Sequence, residues 1–461
     1  MTLSESLYYY FGQYVEAPLL AIFENVEPFN VGLIFCGVMV VLVFIGVRVF
    51  LAAAVVGMLG LVAIIGWEAG TGMAGTVPHS KISSFTLSVL PMFILIGYLA
   101  FHAGLTQAVF DAARKWCSQA PGGLAIATVF ATAGFAAVSG ASTATAAVFS
   151  RVAIPEMLKY GYSQRLAAGV VAAGGTLASL IPPSAILVIY AIIVEESIGR
   201  LLVAGFIPGI VSAVIYAALI IVMASRNPEL GPPVKGFTWS DRIKSVPGTF
   251  PVLFVIFIIF FSMYTGTATP TEAGALGSMV VFIMALWGGM KWNTLKEALL
   301  ETARLTVMIF SLVWGVLIFV RFMGFAELPA AFAEWVVALP FPPVVTMICI
   351  LMFYVILGMF MDAIGMLLLT LPVVYPAVIG LGYDPIWFGI VVVKMCEVCL
   401  ITPPIGLNCY VVAGVRPDIP LQEVFRGIGP FFIADVITLG VFLAWPEVIT
   451  WLPDQMISRR S

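Results

Sequence analysis

The stretch GGTLASLIPPSAILVIYAIIV, residues 174–194, is almost wholly apolar and long enough to cross a bilayer, yet Pro182 and Pro183 lie at its centre. Proline has no backbone N–H, and its ring clashes with the carbonyl group one turn earlier, so two prolines together interrupt a helix. The same interruption recurs at Pro403 and Pro404 in KMCEVCLITPPIGLNCYVVAGV, residues 394–415. Because hydrocarbon contains no water for the released carbonyls, such breaks predict backbone that is satisfied by protein or by a bound ion.

The composition indicates a polytopic helical membrane protein. Of the 461 residues, 62% are hydrophobic and 10% are charged, whereas soluble domains have about 45–50% apolar and about 25% charged residues. The predicted fold class is therefore an all-α polytopic membrane protein. The N-terminal segment 1–28 lacks the basic start and the apolar core of a signal peptide. Its aromatic, amphipathic pattern predicts a segment that lies at the membrane interface.

Twelve apolar runs have the length that a membrane span needs. They lie near residues 29–47, 50–67, 85–104, 121–149, 163–194, 202–224, 248–264, 272–290, 304–322, 342–376, 386–415 and 430–450. Small polar residues and prolines interrupt the runs 121–149 and 342–376, which predicts two re-entrant hairpins. The main clusters of Lys and Arg in the loops then fall on the cytoplasmic side, with the N-terminus outside; Arg459 and Arg460 at the C-terminus would lie outside, against this rule.

An internal duplication is indicated by a single alignment register between the two halves of the chain. The register that places Pro182 on Pro403 also places IPEMLKYGYS (154–163) on YPAVIGLGYD (375–384) without a gap. The prediction is a first repeat at 29–225, with its hairpin near 121–157 and its broken helix at 163–194. A cytoplasmic linker at 226–247 leads to a second repeat at 248–450, with its hairpin near 342–376, its broken helix at 386–415 and a tail at 451–461. Five full spans per half invert the second repeat, as in secondary transporters.

The first predicted hairpin tip, AVSGASTATAAVF (137–149), is rich in hydroxyl groups. Gly140 allows the backbone to turn there, and the hydroxyls come from Ser139, Ser142, Thr143 and Thr145. Hydroxyl and carbonyl oxygens suit a hard cation such as Na⁺ rather than a soft metal. The break SLIPPS (179–184) is expected to face the tip and to add carbonyl oxygens. The alternative is a seam of small residues between packed helices.

The second hairpin, GMFMDAIGMLLLTLPVVYP (358–376), carries Asp362 at the position that aligns with the first tip. An acid within an apolar run costs about 2.5–3.5 kcal/mol on insertion scales, so it indicates a functional site. Asp362 is predicted to neutralise a cation or to take a proton; the alternative is a cap on a half-helix. Its expected partner is the second break, with Thr402, Pro403 and Asn408.

Two further acidic positions have a structural and a functional interpretation. Lys394 and Glu397 are three residues apart on one predicted helix, which favours a simple ion pair; the alternative is that Lys394 contacts an anion. Glu272, in YTGTATPTEAGALGS (264–278), is predicted to mark a helix start rather than a site.

Together these motifs resemble the large membrane subunit of the tripartite ATP-independent periplasmic (TRAP) transporters, over residues 29–450. The resemblance is carried by VSGASTATAAVF, ASLIPPS, YTGTATPTEAGALG, MDAIGMLLLTLPVVYP and LITPPIGLNCYV. It implies an elevator-type transporter of the bacterial inner membrane, which takes up an organic anion such as a dicarboxylate with Na⁺. It also implies two partners: a periplasmic substrate-binding protein and a small four-helix membrane subunit on a separate chain.

The resemblance also assigns roles to residues of this sequence. Contacts to Na⁺ are implied for Ser139, Gly140, Ser142, Thr143, Thr176, Pro182, Asp362, Thr402, Pro403 and Asn408. Contacts to the substrate are predicted separately for Thr145, Ser184, Lys394 and Glu397; Ser184 is also among the positions at which the resemblance implies a Na⁺ contact. The register of the duplication places Glu397 on Thr176, which predicts that the two sites differ chemically.

Other function classes have less support in the sequence. A stand-alone symporter driven by H⁺ or Na⁺ remains the alternative, with Asp362 and Glu397 as proton carriers and no binding protein. The chain has two histidines and carries no phosphate-binding loop, nucleophile elbow, zinc motif or nucleic-acid patch. The sequence therefore predicts a protein that is not an enzyme, and that binds neither an organic cofactor nor nucleic acid.

Overall fold

The computed structural model describes residues 12–23, 25–234, 236–359, 361–404 and 406–456. Within these ranges every regular element is a helix, in agreement with the all-α prediction. The predicted interfacial segment falls in part on residues 1–11 and 24, and the predicted tail in part on residues 457–461, all outside the described residues. The described part of the N-terminal segment is helical, with Gly12–Glu16 leading into helix α1.

Most helices of the first half of the chain coincide with predicted apolar runs, but Trp67–Ile82 and Leu105–Cys117 lie outside them. Their bounds are α1 Ala17–Phe23, α2 Pro28–Phe44, α3 Val49–Ile65, α4 Trp67–Ile82, α5 Val89–His102, α6 Leu105–Cys117, α7 Gly123–Ser139, α8 Ser142–Lys159, α9 Gln164–Leu180, α10 Ala185–Val194, α11 Ile198–Ala204 and α12 Phe206–Arg226.

The second half of the chain is likewise built of helices. Its bounds are α13 Trp239–Tyr264, α14 Pro270–Trp287, α15 Trp292–Phe325, α16 Leu328–Val337, α17 Pro343–Gly358, α18 Ala363–Gly380, α19 Pro385–Ile401, α20 Leu407–Val415, α21 Leu421–Ala444 and α22 Glu447–Asp454. Among the described residues, eight helical segments are long and apolar enough to cross a membrane, and further apolar helices are shorter. The chain is a multi-pass helical membrane protein.

The chain divides into two compact units, of which the first comprises the described residues up to Leu87 together with Thr306–Ile350 and Leu367–Tyr383. Its core is built on close contact between α3 and the end of α15. A Cβ on Gly57 would overlap the backbone of Phe319, and one on Gly60 would overlap the ring of Phe322. These small residues therefore allow two helices to approach at backbone distance, as is common between membrane helices.

The second unit comprises Ser88–Leu305, Leu351–Met366 and the described residues from Asp384 onward. Helix α9 lies at its centre and packs against α7, α8, α12, α19, α20 and α21. Every residue of α9 from Leu166 to Leu180 is buried, which explains why its sequence is apolar all round rather than on one face. A Cβ on Gly427 of α21 would overlap the carbonyl of Arg165, so α9 and α21 also meet at backbone distance.

The helix bounds keep the register that places Pro182 on Pro403. Ser142–Lys159 corresponds to Ala363–Gly380, and Gln164–Leu180 corresponds to Pro385–Ile401, without any slip. Gly161 and Gly382, which follow the first pair of helices, have φ angles of +80° and +87°. The shared bounds support an internal duplication, while the inverted orientation of the second copy stays a prediction.

Several helices extend beyond the predicted apolar runs or lie outside them. Helix α13 begins at Trp239, inside the predicted linker 226–247, because Thr238 and Asp241 form a capping box at its start. Helix α15 spans 34 residues and begins well before the predicted run 304–322, since its first turns are too polar to show as an apolar run. For the same reason hydropathy did not reveal α4, whose sequence is WEAGTGMAGTVPHSKI.

Candidate functional site

The turn between α7 and α8 lies directly against the first Pro-Pro break. Gly140 ends α7 with a φ angle of +61°, a left-handed conformation that glycine adopts without steric cost. A Cβ at this position would overlap the carbonyl oxygen of Pro183. Glycine is therefore required twice, once for the turn and once for the close approach of the two backbones. The expected meeting of tip and break is observed.

Buried hydroxyl groups converge at this contact. The hydroxyls of Ser142 and Ser179 are 2.6 Å apart, which links α8 to the end of α9. The hydroxyls of Ser139 and Thr145 are 2.9 Å apart across the turn, and Thr145 donates to the carbonyl of Ala141 at 2.9 Å. The tip thus presents oxygen atoms from both sides of the turn to the broken helix.

The remaining residues predicted for the first site lie around this cluster in different ways. Ser184 caps α10 and donates its hydroxyl hydrogen to the carbonyl of Ser179 across the break. Thr176 is buried, but its hydroxyl donates to the carbonyl of Ala173 on its own helix at 2.7 Å. Thr143 is half-buried in the first turn of α8, and Pro182 is buried in the break.

The second break packs against helix α9 through Asn408. Asn408, in the first turn of α20, is fully buried and donates its side-chain N–H to the carbonyl of Ala172 at 3.1 Å. Its Oδ1 atom is buried and has no partner among the described residues. The hydroxyl of Thr402 donates to the carbonyl of Val398 at 2.6 Å, and Pro403 is exposed beside it. Asn408 therefore offers an oxygen ligand within the second unit.

Asp362 is the residue that precedes α18, and its side chain is exposed. Its carboxylate accepts the backbone N–H of Gly365 at 3.1 Å, which is the geometry of an N-terminal cap. The capping alternative is confirmed by this contact. The expected contact to Thr402 or Asn408 is not among those made by the described residues, so a role of Asp362 in ion binding stays a prediction.

Lys394 and Glu397 form the ion pair that their spacing favoured, with 2.8 Å between Nζ and Oε2. The structure adds a third charge, because Asp435 of α21 lies 2.8 Å from the same Nζ atom. Tyr216 of α12 donates its hydroxyl hydrogen to Asp435 at 2.6 Å. All four side chains are fully buried. The substrate contact assigned to Lys394 and Glu397 gains no support from this burial.

A cavity of about 190 Å³ opens beside the first tip, within the second unit. The tip contributes Ser139 and Ala141, and α5 contributes Tyr98 and Phe101. Arg151 of α8 and Glu301 of α15 supply the charged groups of its lining. Sequence reasoning missed this cavity because Arg151 had served only as a marker of topology and position 301 was assigned to a loop.

These features define a multi-pass helical membrane protein in which a helix-turn-helix tip meets an interrupted helix. Residues 33–448 match the family described as "Tripartite ATP-independent periplasmic transporter, DctM component". The chain therefore belongs to this family and is the large permease subunit of a TRAP transporter. Its predicted family membership is confirmed.

Related proteins are described as large permease proteins of TRAP transporters. The chain is 33% identical to the C4-dicarboxylate TRAP transporter large permease protein DctM of Pseudomonas aeruginosa, over 80% of this chain and 86% of that protein. It is 29% identical to the sialic acid TRAP transporter large permease protein SiaM of Vibrio cholerae, over 84% and 90%. The Alcanivorax borkumensis YdaH transporter is similar in fold, with a TM-score of 0.56, 14% identity and coverage of 91% of this chain and 98% of that one. That likeness concerns the fold alone.

Proposed function

We propose that this chain carries an organic carboxylate across the bacterial inner membrane, with Na⁺ as the coupling ion. The observation that supports this proposal most directly is the contact between the first tip and the Pro-Pro break, where Gly140 meets the carbonyl of Pro183. Backbone breaks inside apolar segments release carbonyl oxygens, and ion sites of secondary transporters use oxygens of this kind.

The chemistry of the first tip fits a Na⁺ ion. The available atoms are the hydroxyls of Ser139, Ser142 and Ser179 and backbone carbonyls of the turn and the break. All are neutral, hard oxygen donors, which suit an alkali cation better than a transition metal. The side-chain amides and hydroxyls of the second break, above all the unpartnered Oδ1 of Asn408, would hold a second ion.

The names of the family and of its relatives suggest the class of substrate and one partner. Proteins named as permeases for C4-dicarboxylates and for sialic acid share this family, so the proposed substrate is a carboxylate that a periplasmic binding protein delivers. A small membrane subunit on a separate chain completes the proposed complex. Binding of Na⁺ would order the tips against the breaks, and the domain that carries them would then move across the membrane as an elevator.

Reconstituted transport tests the proposal. The chain and its small subunit are placed in proteoliposomes, and uptake of labelled carboxylates is measured with and without an inward Na⁺ gradient and the binding protein. We expect uptake only when both are present. Ser142→Ala should reduce the rate, because it removes a hydroxyl of the tip. Ser150→Ala is the matched control: Ser150 lies on the same helix and is also buried, and its hydroxyl donates to the carbonyl of Ala146 on that helix.

Two results would contradict the proposal in different ways. Uptake that needs Na⁺ but no soluble protein would favour a stand-alone symporter. Uptake that is driven by a pH gradient and is independent of Na⁺ would exclude Na⁺ as the coupling ion.

A further inference from the structure

We propose that the cavity beside the first tip binds the substrate, and that it selects a small monocarboxylate with an apolar or aromatic body. The proposal rests on the proposed transport function and deepens it. Its evidence is the charge, the size and the lining of the cavity, all of which come from residues of the second unit.

Arg151 supplies the anion-binding group. Among the described residues that line the cavity it is the only cation, it is exposed, and no ion pair engages it within the described residues. A guanidinium group offers paired N–H donors that match a carboxylate. The hydroxyls of Ser139 and Tyr98 lie on the same lining and would fix the orientation of the bound acid.

Glu301 argues against a second carboxylate on the substrate. It is the only acidic side chain among the described lining residues, and one of its oxygens already accepts from Nε2 of His102 at 2.9 Å. A dicarboxylate would therefore bring a second negative charge to a lining that already holds a carboxylate of the same sign. A lining with one cation, and with one carboxylate that is already hydrogen-bonded, favours a ligand with a single negative charge.

The rest of the lining is apolar and aromatic. Phe101 and Phe135 face the cavity together with Ile94 and Leu305, so the body of the ligand would lie against rings and aliphatic side chains. The volume of about 190 Å³ exceeds the roughly 150 Å³ of an engineered cavity that accepts benzene. A single ring with a carboxylate fits this space, whereas the many hydroxyl groups of a sugar acid do not match its apolar lining.

Ligand binding to the purified full chain in nanodiscs tests the inference. The probes are phenylacetate and benzoate, with succinate and N-acetylneuraminate as comparison acids, and the readouts are the dissociation constant and the shift in thermal unfolding. We expect the two aromatic acids to bind most tightly. Arg151→Gln should weaken them by at least about tenfold, since a charge-assisted contact is lost.

Three further variants separate the contribution of the charge at position 151 from that of the space in the cavity. Arg151→Lys should recover part of the affinity, and Ala147→Phe should block binding by filling the cavity while keeping the charge. Arg226→Gln is the matched control, because Arg226 is exposed at the end of α12 and does not line the cavity. Tighter binding of succinate, or wild-type affinity in Arg151→Gln, would overturn the inference, as would no binding of any aromatic acid.

The uptake assay distinguishes this inference from the proposed function. Na⁺-driven uptake of succinate but not of phenylacetate would refute the substrate class and leave the transport function intact. Binding of phenylacetate that depends on Arg151, without Na⁺-driven uptake of any acid, would refute the coupled transport and leave the cavity assignment intact.

Discussion

At the scale of single residues, Gly140 meets two structural demands at once, and its role can be separated from that of an ordinary turn glycine. Its φ angle is +61°, and a side chain would meet the carbonyl of Pro183. Gly161 has a similar angle of +80° but has open space around it. A comparison of Gly140 with Gly161 therefore separates the cost of the backbone conformation from the cost of losing the contact between the tip and the break.

We predict that Gly140→Ala abolishes Na⁺-dependent uptake, whereas Gly161→Ala leaves it within about twofold. Gly161→Ala should lower the free energy of unfolding by about 1–2 kcal/mol, since the residue adopts left-handed backbone, and Gly140→Ala should lower it further because of the overlap with Pro183. Only the change at 140 also pushes the tip away from the break. Equal uptake by the two variants would contradict a functional role for the contact.

Asp362 allows the cap and the charge to be tested separately. Asparagine caps helices about as well as aspartate, so Asp362→Asn should keep the thermal stability of the wild type, while Asp362→Ala should lose about 1 kcal/mol of it. If the carboxylate also neutralises a cation, Asp362→Asn should raise the Na⁺ concentration needed for half-maximal uptake. An unchanged Na⁺ dependence would reduce Asp362 to a cap.

The cluster of Lys394, Glu397 and Asp435 gives a prediction about stability. Lys394→Met leaves two carboxylates without their cation in a fully buried place, and removal of one partner of a buried pair costs about 3–5 kcal/mol. Thermal unfolding in nanodiscs measures the loss. The variant Lys394→Met/Glu397→Gln/Asp435→Asn should recover most of it, because no charge is left unpaired. A single Lys394→Met as stable as the wild type would contradict the pairing.

The residues of the candidate site were predictable only in part. Ser139, Gly140 and Ser142 stood out because polar and small residues interrupt an apolar run. Asp435 and Tyr216 gave no such signal together, since they are distant in sequence and meet Lys394 only through the packing of α12, α19 and α21. Arg151 and Glu301 likewise come together only in the folded chain.

At the scale of elements, the interrupted helices and the turn glycines follow from local chemistry. Glu272 was predicted to mark a helix start, and it forms a capping box with Thr269 at the beginning of α14. The Pro-Pro pairs end α9 and α19 at the expected places. Helix α4 and the first turns of α15 were missed because hydropathy detects apolar runs, whereas these helices are held by contacts that the sequence alone does not display.

The close packing of α9 on α21 gives a prediction at this scale. Gly427→Ala should destabilise the protein, since the new Cβ would overlap the carbonyl of Arg165. Gly440→Ala, on the same helix with open space around it, should be neutral or stabilising by up to about 1 kcal/mol, because alanine favours helices over glycine. Thermal unfolding of both variants decides; a change of the same sign in both would contradict the packing argument.

At the scale of the whole molecule, the composition indicates the class of protein, and the repeated motifs indicate how the chain is organised. A chain that is 62% hydrophobic has to place most of its length in helices that cross or lie within the membrane. The register that aligns Pro182 with Pro403 is kept by the helix bounds, so the structure agrees with the register that two proline pairs indicated, while the duplication itself stays a prediction. The arrangement of the copies around a substrate depends on tertiary packing and could not.

The central claim is that the tips and the broken helices bind Na⁺, and direct binding of ²²Na⁺ to the purified chain in nanodiscs tests it. We predict saturable binding of ²²Na⁺ that unlabelled Na⁺ displaces and K⁺ does not. Ser142→Ala should weaken this binding, and Ser150→Ala should leave it unchanged. Absence of saturable binding, or the same affinity in Ser142→Ala as in the wild type, would contradict the account.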